Sequence, residues 1–428
     1  MPTRPLRIAW VGPGPGEDGG VAGVATDLLA GLVGEGHRID CFLPGKERPV
    51  SSRLSSLENL TFVWGTSTWK WDRWYSRAKV AAFVSGLITR ALAALRLRRE
   101  ITRRHQREPY DLIYQFSTIE SLAVPTRVAR TAPLVIHPET HIAGELRFLI
   151  AERRLSWQCQ PRYMFAVVAA VMFARMLVQR ARIRRAGLLV CISGVFRDHL
   201  VRDYSFPRER TVVVPNPVRV ERFTAGERAP GTPATVLVLG RVAARKGIDD
   251  VVALAALLDR RGAQVRLRVV GGPSLWSDYT GLLEDLPPGT SEYAGSVQAS
   301  EVPAELAASD LLLQASRYEP FALTVGEALA SGVPVVATSE VGAIEAVERS
   351  VAAEVAPGDV EAMAAAITDM LERLDEDPRA LRARARAEAE RLFAPAVVCR
   401  QISTALERLV DPQISSASQS VPPERILS

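Results

Sequence analysis

Arg317-Tyr-Glu-Pro-Phe-Ala-Leu-Thr-Val-Gly-Glu327 is the stretch whose surroundings decide the fold. It follows Asp310-Leu-Leu-Leu-Gln-Ala-Ser316, an apolar run with the character of a parallel strand buried on both faces. Leu323 to Ala330 reads as a short helix ending at Ser331-Gly332, and Val333-Pro-Val-Val-Ala-Thr338 reads as the next strand. Glu319 then sits at a strand's carboxyl end, and Glu327 lies in the first turn of the helix. Open parallel sheets bind ligands in the crevice at those ends. A helix N-terminus adds free N–H groups suited to an anion.

The same strand–helix series begins upstream at Ala234-Thr-Val-Leu-Val-Leu-Gly240. It continues through Val265 to Val270, the loop Gly271-Gly272-Pro273 and Tyr293-Ala-Gly-Ser-Val297, with helices out to Val410. Pro215, Pro217, Pro230 and Pro233, with Gly226 and Gly231, mark a linker before it. An earlier series opens at Leu6-Arg-Ile-Ala-Trp-Val11, followed by Gly12-Pro-Gly-Pro-Gly-Glu-Asp-Gly-Gly20 and an apolar-striped helix from Val21 to Val33. Further strands are expected at His37–Leu43, Asn59–Trp64, Tyr110–Phe116, Pro133–His137, Leu188–Ser193 and Thr211–Asn216. Each half starts its own series. The predicted fold is therefore α/β, two doubly wound Rossmann-like domains facing across a cleft. Residues 1–217 form the first domain and 218–394 the second. A helix over 395–410 packs back on the first, and the Ser/Pro/Gln-rich tail 411–428 is disordered.

Composition narrows the partners. The chain has 428 residues, 47% hydrophobic, with a net charge of +5. That charge is uneven: residues 1–217 hold 32 Lys/Arg and 18 Asp/Glu, net +14, whereas 218–428 hold 21 and 30, net −9. A basic front half points to an acidic partner such as an anionic membrane surface or a phosphorylated acceptor, and otherwise to a solvated Arg-rich surface. Trp64, Trp69, Trp71 and Trp74 precede a basic segment, Arg73 to Arg107, with an apolar stripe at Val80, Val84, Leu87, Ile88, Ala91 and Leu95. This reads as an interfacial element or as an ordinary helix on a sheet. Tyr163 to Ala174 is apolar but too short to span a bilayer, which takes about 20 residues. It is broken by Arg175 and followed by the basic run Arg180 to Arg185, so a buried or membrane-surface helix is expected. Peripheral membrane contact is thus expected through 64–107 and 162–185, with no role for nucleic acid. The scattered Cys41, Cys159, Cys191 and Cys399 fit reduced thiols in the cytoplasm, and Leu6–Val11 is strand one rather than a signal peptide.

Several residues could carry chemistry. Arg241 and Lys246, in Arg241-Val-Ala-Ala-Arg-Lys-Gly247, can both reach one cleft, and paired cations suit a diphosphate. Arg245 between them reads as exposed loop charge. Gly12 and Gly14 are followed by Gly16, which misplaces the third glycine of a dinucleotide fingerprint and argues against NAD. Gly19-Gly20 still allow close backbone approach at the helix start. In His137-Pro-Glu-Thr-His141, Pro138 argues against a helical histidine pair, so no metal is expected. His137, at a strand's carboxyl end, is a candidate to face the cleft. Glu327 has a structural alternative, since Thr324-x-x-Glu327 has the pattern of a capping box. Asp375-Glu-Asp377 reads as a solvated turn.

With these residues in place, the chain resembles the retaining glycosyltransferases of family four, which have the GT-B fold. Glu319-Pro-Phe-Ala-Leu-Thr-Val-Gly-Glu327 matches that family's E-x7-E signature, and Gly240-Arg-Val-Ala-Ala-Arg-Lys-Gly247 its G-R-x-x-x-x-K-G element. Val214-Pro-Asn-Pro-Val218 resembles P-N-G-V, with Pro217 replacing glycine, and Ala330-Ser-Gly-Val-Pro-Val-Val336 resembles A-x-G-x-P-V-V. The likeness covers roughly residues 6–410. It implies a nucleotide-sugar donor and no cofactor or metal. Arg241 and Lys246 would hold the donor diphosphate, Glu327 the ribose, and Glu319 a hydroxyl of the sugar. Backbone N–H groups from Phe321, Ala322, Leu323 and Thr324 would assist. Gly19 and Gly20 match the family's first-domain glycine loop, and His137 its cleft histidine. Ala322 stands where the family has glycine. The expected activity is transfer to a lipid-linked or membrane-proximal acceptor at the cytoplasmic face. The alternatives are a soluble small-molecule acceptor, or a non-catalytic nucleotide-sugar-binding partner.

Overall fold

A computed structural model describes residues 4–16, 20–67, 79–117, 121–159, 162–226, 232–273 and 278–411. Gly19, Trp69, Trp71, Trp74 and nearly all of the tail lie outside them. The first sheet joins β1 (Arg7–Val11), β2 (Arg38–Gly45), β3 (Leu60–Ser67), β4 (Leu112–Phe116), β5 (Leu134–His137), β6 (Leu188–Cys191) and β7 (Thr211–Val213). Its order is β3-β2-β1-β4-β5-β6-β7, parallel throughout. The second joins β8 (Ala234–Leu239), β9 (Val265–Val270), β10 (Ser291–Gly295), β11 (Leu311–Gln314), β12 (Val335–Thr338) and β13 (Ala352–Val355). Its order is β10-β9-β8-β11-β12-β13, again parallel. Strand order reverses between β1 and β4, and again between β8 and β11. Each reversal opens a crevice at the strands' carboxyl ends. These are the two doubly wound sheets that the alternating pattern predicts.

The strands next to the reversals explain that legibility. Every residue of β4, β5, β11 and β12 is buried, and each strand is apolar on both faces up to one polar residue at or near its carboxyl end: Gln115, His137, Gln314 and Thr338. The first sheet is dressed by α1 (Val21–Gly34), α2 (Ser52–Ser55), α3 (Lys79–Arg107), α4 (Ile142–Ala151), α5 (Arg153–Cys159), α6 (Arg162–Ile183) and α7 (Gly194–Tyr204). The second carries α8 (Ile248–Arg260), α9 (Val302–Ala307), α10 (Leu323–Ala330), α11 (Val360–Glu376) and α12 (Pro378–Phe393). α13 (Pro395–Val410) returns to the first domain. Its Val398, Cys399, Ile402 and Leu406 join one core cluster with Leu28 and Leu32 of α1. Each such aliphatic side chain contributes roughly 1.5–3 kcal/mol when removed from water. Ser403 also shares a 2.8 Å hydrogen bond with buried His37 of the first domain.

Two expectations shift. On the described part of α3 the core face is Ala93, Ala94, Leu97 and Ile101, while Leu95 is exposed. Of the predicted stripe, Leu95 thus lies off the buried face and Ala91 is half-buried, while the side chains of Val80, Val84, Leu87 and Ile88 lie outside those described. Asp377 caps α12, its carboxylate accepting from the Ala380 N–H at 3.0 Å, so the acidic turn has a structural role. Among the described residues no helix is long and apolar enough to cross a membrane.

Candidate active site

The 3-10 turn at Ala244–Lys246 leaves the carboxyl end of β8, and the loop Ser316–Ala322 leaves that of β11. The strands are neighbours, so the two loops meet. Gly247 makes the junction possible: its φ is +67°, and a Cβ there would lie 2.1 Å from the Ala315 carbonyl oxygen. Glu319 is clamped where they meet. Lys246 Nζ lies 2.5 Å and Arg245 Nη1 2.7 Å from Glu319 Oε2. Burial alone would raise the Glu319 pKa; Lys246 and Arg245 outweigh it and hold the carboxyl down at about 2. The Lys246 ammonium is pushed below its ordinary range by burial, against the pull of Glu319. Arg245 is thus not loose surface charge, as its loop position suggested, but a half-buried partner of Glu319. Arg241 is exposed at the rim, its charge felt by Lys246.

The rest of the loop is held from both sides. Glu319 N–H donates to the Glu340 carbonyl at 3.1 Å, and Gly342 N–H donates to the Glu319 carbonyl at 3.0 Å. Ser193 of the first domain donates to the Pro320 carbonyl at 2.9 Å. Phe321 turns into the core, edge-on to Phe393 at 5.7 Å. Ala322 caps α10 with φ +73°, a left-handed conformation that strains any residue with a Cβ. A glycine here would meet the same backbone demand without strain. Ala322→Gly is expected to stabilise the fold by about 1 kcal/mol, read as a raised midpoint in urea unfolding.

The first domain supplies the opposite wall. His141, just before α4, receives the Tyr318 hydroxyl at Nδ1 over 2.7 Å, and its Nε2 lies 3.1 Å from Asp203. Burial pushes the His141 pKa down to about 3, so the ring is neutral. With Asp203 beside Nε2, the proton belongs there and Nδ1 is left to accept. Glu145 of α4 is pushed up by burial, and the charges of Arg245 and Glu319 reach it. Glu345 of the second domain accepts from Gly194 and Val195 N–H at the N-terminus of α7, at 2.8 and 3.2 Å. Arg317 bonds Asp249 and Asp250 in its own domain and Glu152 in the other. His141 and Tyr318 were the residues that sequence reasoning missed. The signal for His141 was its place in the stretch His137-Pro-Glu-Thr-His141, just past a strand's carboxyl end.

Glu327 lies elsewhere along the same cleft. It lines a small crevice with Gly20, Asp27, Arg219, Arg222 and Leu323. Gly20, at φ +74°, starts α1 there. Glu327 is in the second turn of α10, not the first, because the helix begins at Leu323. The capping box also fails to form: the N-cap is Ala322, with no side-chain cap, and Thr324 sits inside the helix. Thr324 Oγ1 instead accepts from Gln314 at 2.5 Å. The uncapped N-terminus leaves its first N–H groups to a ligand or water. Burial pushes Glu327 up to about 7, with the charge of Arg222 opposing. A carboxyl raised in the folded state stabilises it below the unfolded pKa, and that stability is lost as pH rises through about 7. Glu327→Gln removes this loss. Relative to wild type, the variant should therefore gain on the order of 2 kcal/mol between pH 5 and 8, measured by thermal melts across that window.

His137 corrects an expectation. It ends β5, as predicted, but its side chain is fully buried rather than facing the cleft. Nδ1 shares a 2.7 Å hydrogen bond with the Tyr114 hydroxyl, and Nε2 lies 3.3 Å from Glu139. Phe116 packs edge-on against the ring at 5.2 Å. The aromatic residues of β1 and β4, Trp10, Tyr114 and Phe116, fill the space above the strand end and bury it.

Residues 18–222 match the family model described as Glycosyltransferase Family 4, and residues 220–388 match that of Glycosyl transferases group 1. The first half is thus similar to family 4 glycosyltransferase domains and the second to those of group 1. A glycogen synthase of Mycobacterium tuberculosis is 30% identical over 217 residues, 49% of this chain and 50% of that protein. The chain spans about half the length of the curated relatives it matches. Among solved structures, a sucrose-phosphate synthase from Thermosynechococcus elongatus superposes with TM-score 0.66 at 19% identity, over 96% of this chain and 100% of that one. HepE from Anabaena, in complex with UDP and glucose, superposes with TM-score 0.57 at 17% identity, over 97% and 100%. The chain thus has the GT-B fold. Among its described residues, no group of three or more His, Cys, Asp or Glu is placed to hold a metal ion.

Proposed function

We propose that this chain is a configuration-retaining glycosyltransferase that moves a sugar from a nucleotide-sugar donor to a lipid-linked or membrane-proximal acceptor at the cytoplasmic face. The observation that carries the reading is the clamp of Glu319 by Lys246 and Arg245 at the reversal between β8 and β11. A buried cation pair around one carboxylate suits a ligand that brings both hydroxyls and phosphates. In this reading Lys246, Arg245 and rim-lying Arg241 take the charge of the departing diphosphate, so that no metal is required. Glu319 accepts from a sugar hydroxyl, and Glu327, facing Gly20, accepts from the ribose. The N–H groups at the start of α10 complete the phosphate site. The Anabaena structure in complex with UDP and glucose supports the donor class by analogy of fold.

Domain closure would position the acceptor oxygen and exclude water. His141, Tyr318 and Glu345 join the two domains across the cleft, with Glu145 beside them on α4. The test is product analysis by NMR, with candidate nucleotide sugars and a membrane extract as acceptor source. A product of unchanged anomeric configuration is expected; an inverted one rejects retention. Nucleotide binding without product from any donor would favour a binding protein over an enzyme.

A further inference from the structure

The outer face of α6 is apolar where a surface helix is ordinarily charged. Tyr163, Val167, Phe173, Leu177 and Val178 are between 48% and 70% exposed. Together with Ala166, Ala170, Ala174 and Ala181, also exposed, they recur every three or four residues and form one stripe. The stripe is roughly 30 Å long at about 1.5 Å per residue. Arg175, Arg180 and Arg182 between its ends are half-buried, whereas Arg162 at one end and Arg184 and Arg185 at the other are exposed. The inner face of the same helix builds the cleft wall. Gln179 accepts from the Ile142 N–H at 2.9 Å and donates to the Thr140 carbonyl at 2.7 Å, on either side of His141.

The basic end of the stripe does not stand alone. On α3 and the loop at 125–127, an open pocket of about 530 Å³ is lined by Arg98, Arg99, Arg103 and Arg127. Arg182 links the two: it is held below its ordinary range by burial, and next by the charges of Arg185 and Arg98. At the opposite end the Arg162 guanidinium lies 5.1 Å over the Trp157 ring, which is itself exposed. An aromatic ring with a cation at one end and clustered arginines at the other is the composition of a helix lying in a headgroup layer.

We propose that the outer face of α6, with the adjoining arginine cluster, docks this chain flat on an anionic lipid bilayer. Phe173, Leu177 and Val178 enter the acyl boundary, while Arg184, Arg185 and the Arg98–Arg127 pocket bind lipid phosphates. A second copy of the chain fits the stripe less well. Both ends are basic, so parallel or antiparallel pairing sets arginines against arginines. α6 does not cross the bilayer, since no described helix is apolar enough to do so. The docked face stands one helix, α4, away from the cleft. The proposal rests on the membrane-proximal acceptor reading and names the surface that would meet it.

The experiment is flotation of the full chain with vesicles, either pure phosphatidylcholine or an equal mixture with phosphatidylglycerol. Wild type is expected to float with the anionic vesicles and about tenfold less with the neutral ones. Phe173→Glu combined with Leu177→Glu should lose flotation at any salt. Arg184→Glu combined with Arg185→Glu should lose about tenfold at low salt. All substitutions are on exposed positions, and an unchanged melting midpoint confirms folding. Flotation of the Phe173/Leu177 variant at the wild-type level overturns the proposal. So does a wild type that fails to float and sediments as a dimer which that variant splits. Donor-induced thermal stabilisation is read on the same samples. Its loss with flotation intact rejects the transferase reading and leaves the docking surface standing, and the converse result rejects only the surface.

Discussion

Lys246→Ala is expected to lower kcat/KM for sugar transfer by about 10²–10³-fold, the usual cost of removing one preorganised charge from a developing oxyanion. The fold should survive, because Arg245 remains on Glu319 at 2.7 Å. Lys246→Arg tests geometry against charge. Its planar guanidinium cannot occupy the point position of the ammonium between Glu319 and the rim, so it should recover only part of the loss. Glu319→Gln separates the two partners further. It keeps a hydrogen-bond acceptor for the sugar but releases Lys246 and Arg245 from their ion pair. Steady-state kinetics on the three variants decide the matter. Wild-type turnover in Lys246→Ala would remove the diphosphate from this cleft.

The second large effect is on stability. Arg317→Ala should cost roughly 3 kcal/mol, because it strands Asp249 and Asp250 side by side at the start of α8. Arg317 Nη2 lies 2.7 Å from Asp249 and 2.5 Å from Asp250, and Asp250 is buried. Arg317 also reaches Glu152 of the first domain at 3.3 Å, so the loss includes a contact that joins the domains. In chemical denaturation, adding Asp250→Asn should recover part of the loss, because it removes one of the stranded charges. If Arg317→Ala unfolds at the wild-type midpoint, the network does not hold the loop.

Much of this was legible in the chain. β11 and β12 are short, fully buried and apolar up to Gln314 and Thr338, the pattern of parallel strands covered by helices on both faces. The glycine demands at Gly20 and Gly247 likewise show as glycines next to helix starts. What stayed hidden depends on distant pairing. Arg245 looks like surface charge until Glu319, 74 positions away, comes against it. His141 was set aside with a metal pair that Pro138 forbids; its partner Tyr318 lies 177 positions on. His137 was placed correctly on its strand, but its burial depends on aromatic residues of β1 and β4 that no local pattern assigns to it. Leu95 lies off the buried face of α3 for a related reason. Alanines 93 and 94 carry the buried face, and small residues weigh little in a hydrophobic stripe.

The central claim is that the cleft between Gly20, Lys246, Glu319 and Glu327 holds a nucleotide sugar. Thermal melting with UDP-, GDP- and ADP-sugars, on wild type and on Glu327→Ala, tests it most directly. At least one donor should stabilise wild type by about 2.7 kcal/mol at a hundred times its Kd, and should do so far less in the variant. No stabilisation by any donor, or equal stabilisation of both proteins, would contradict the account.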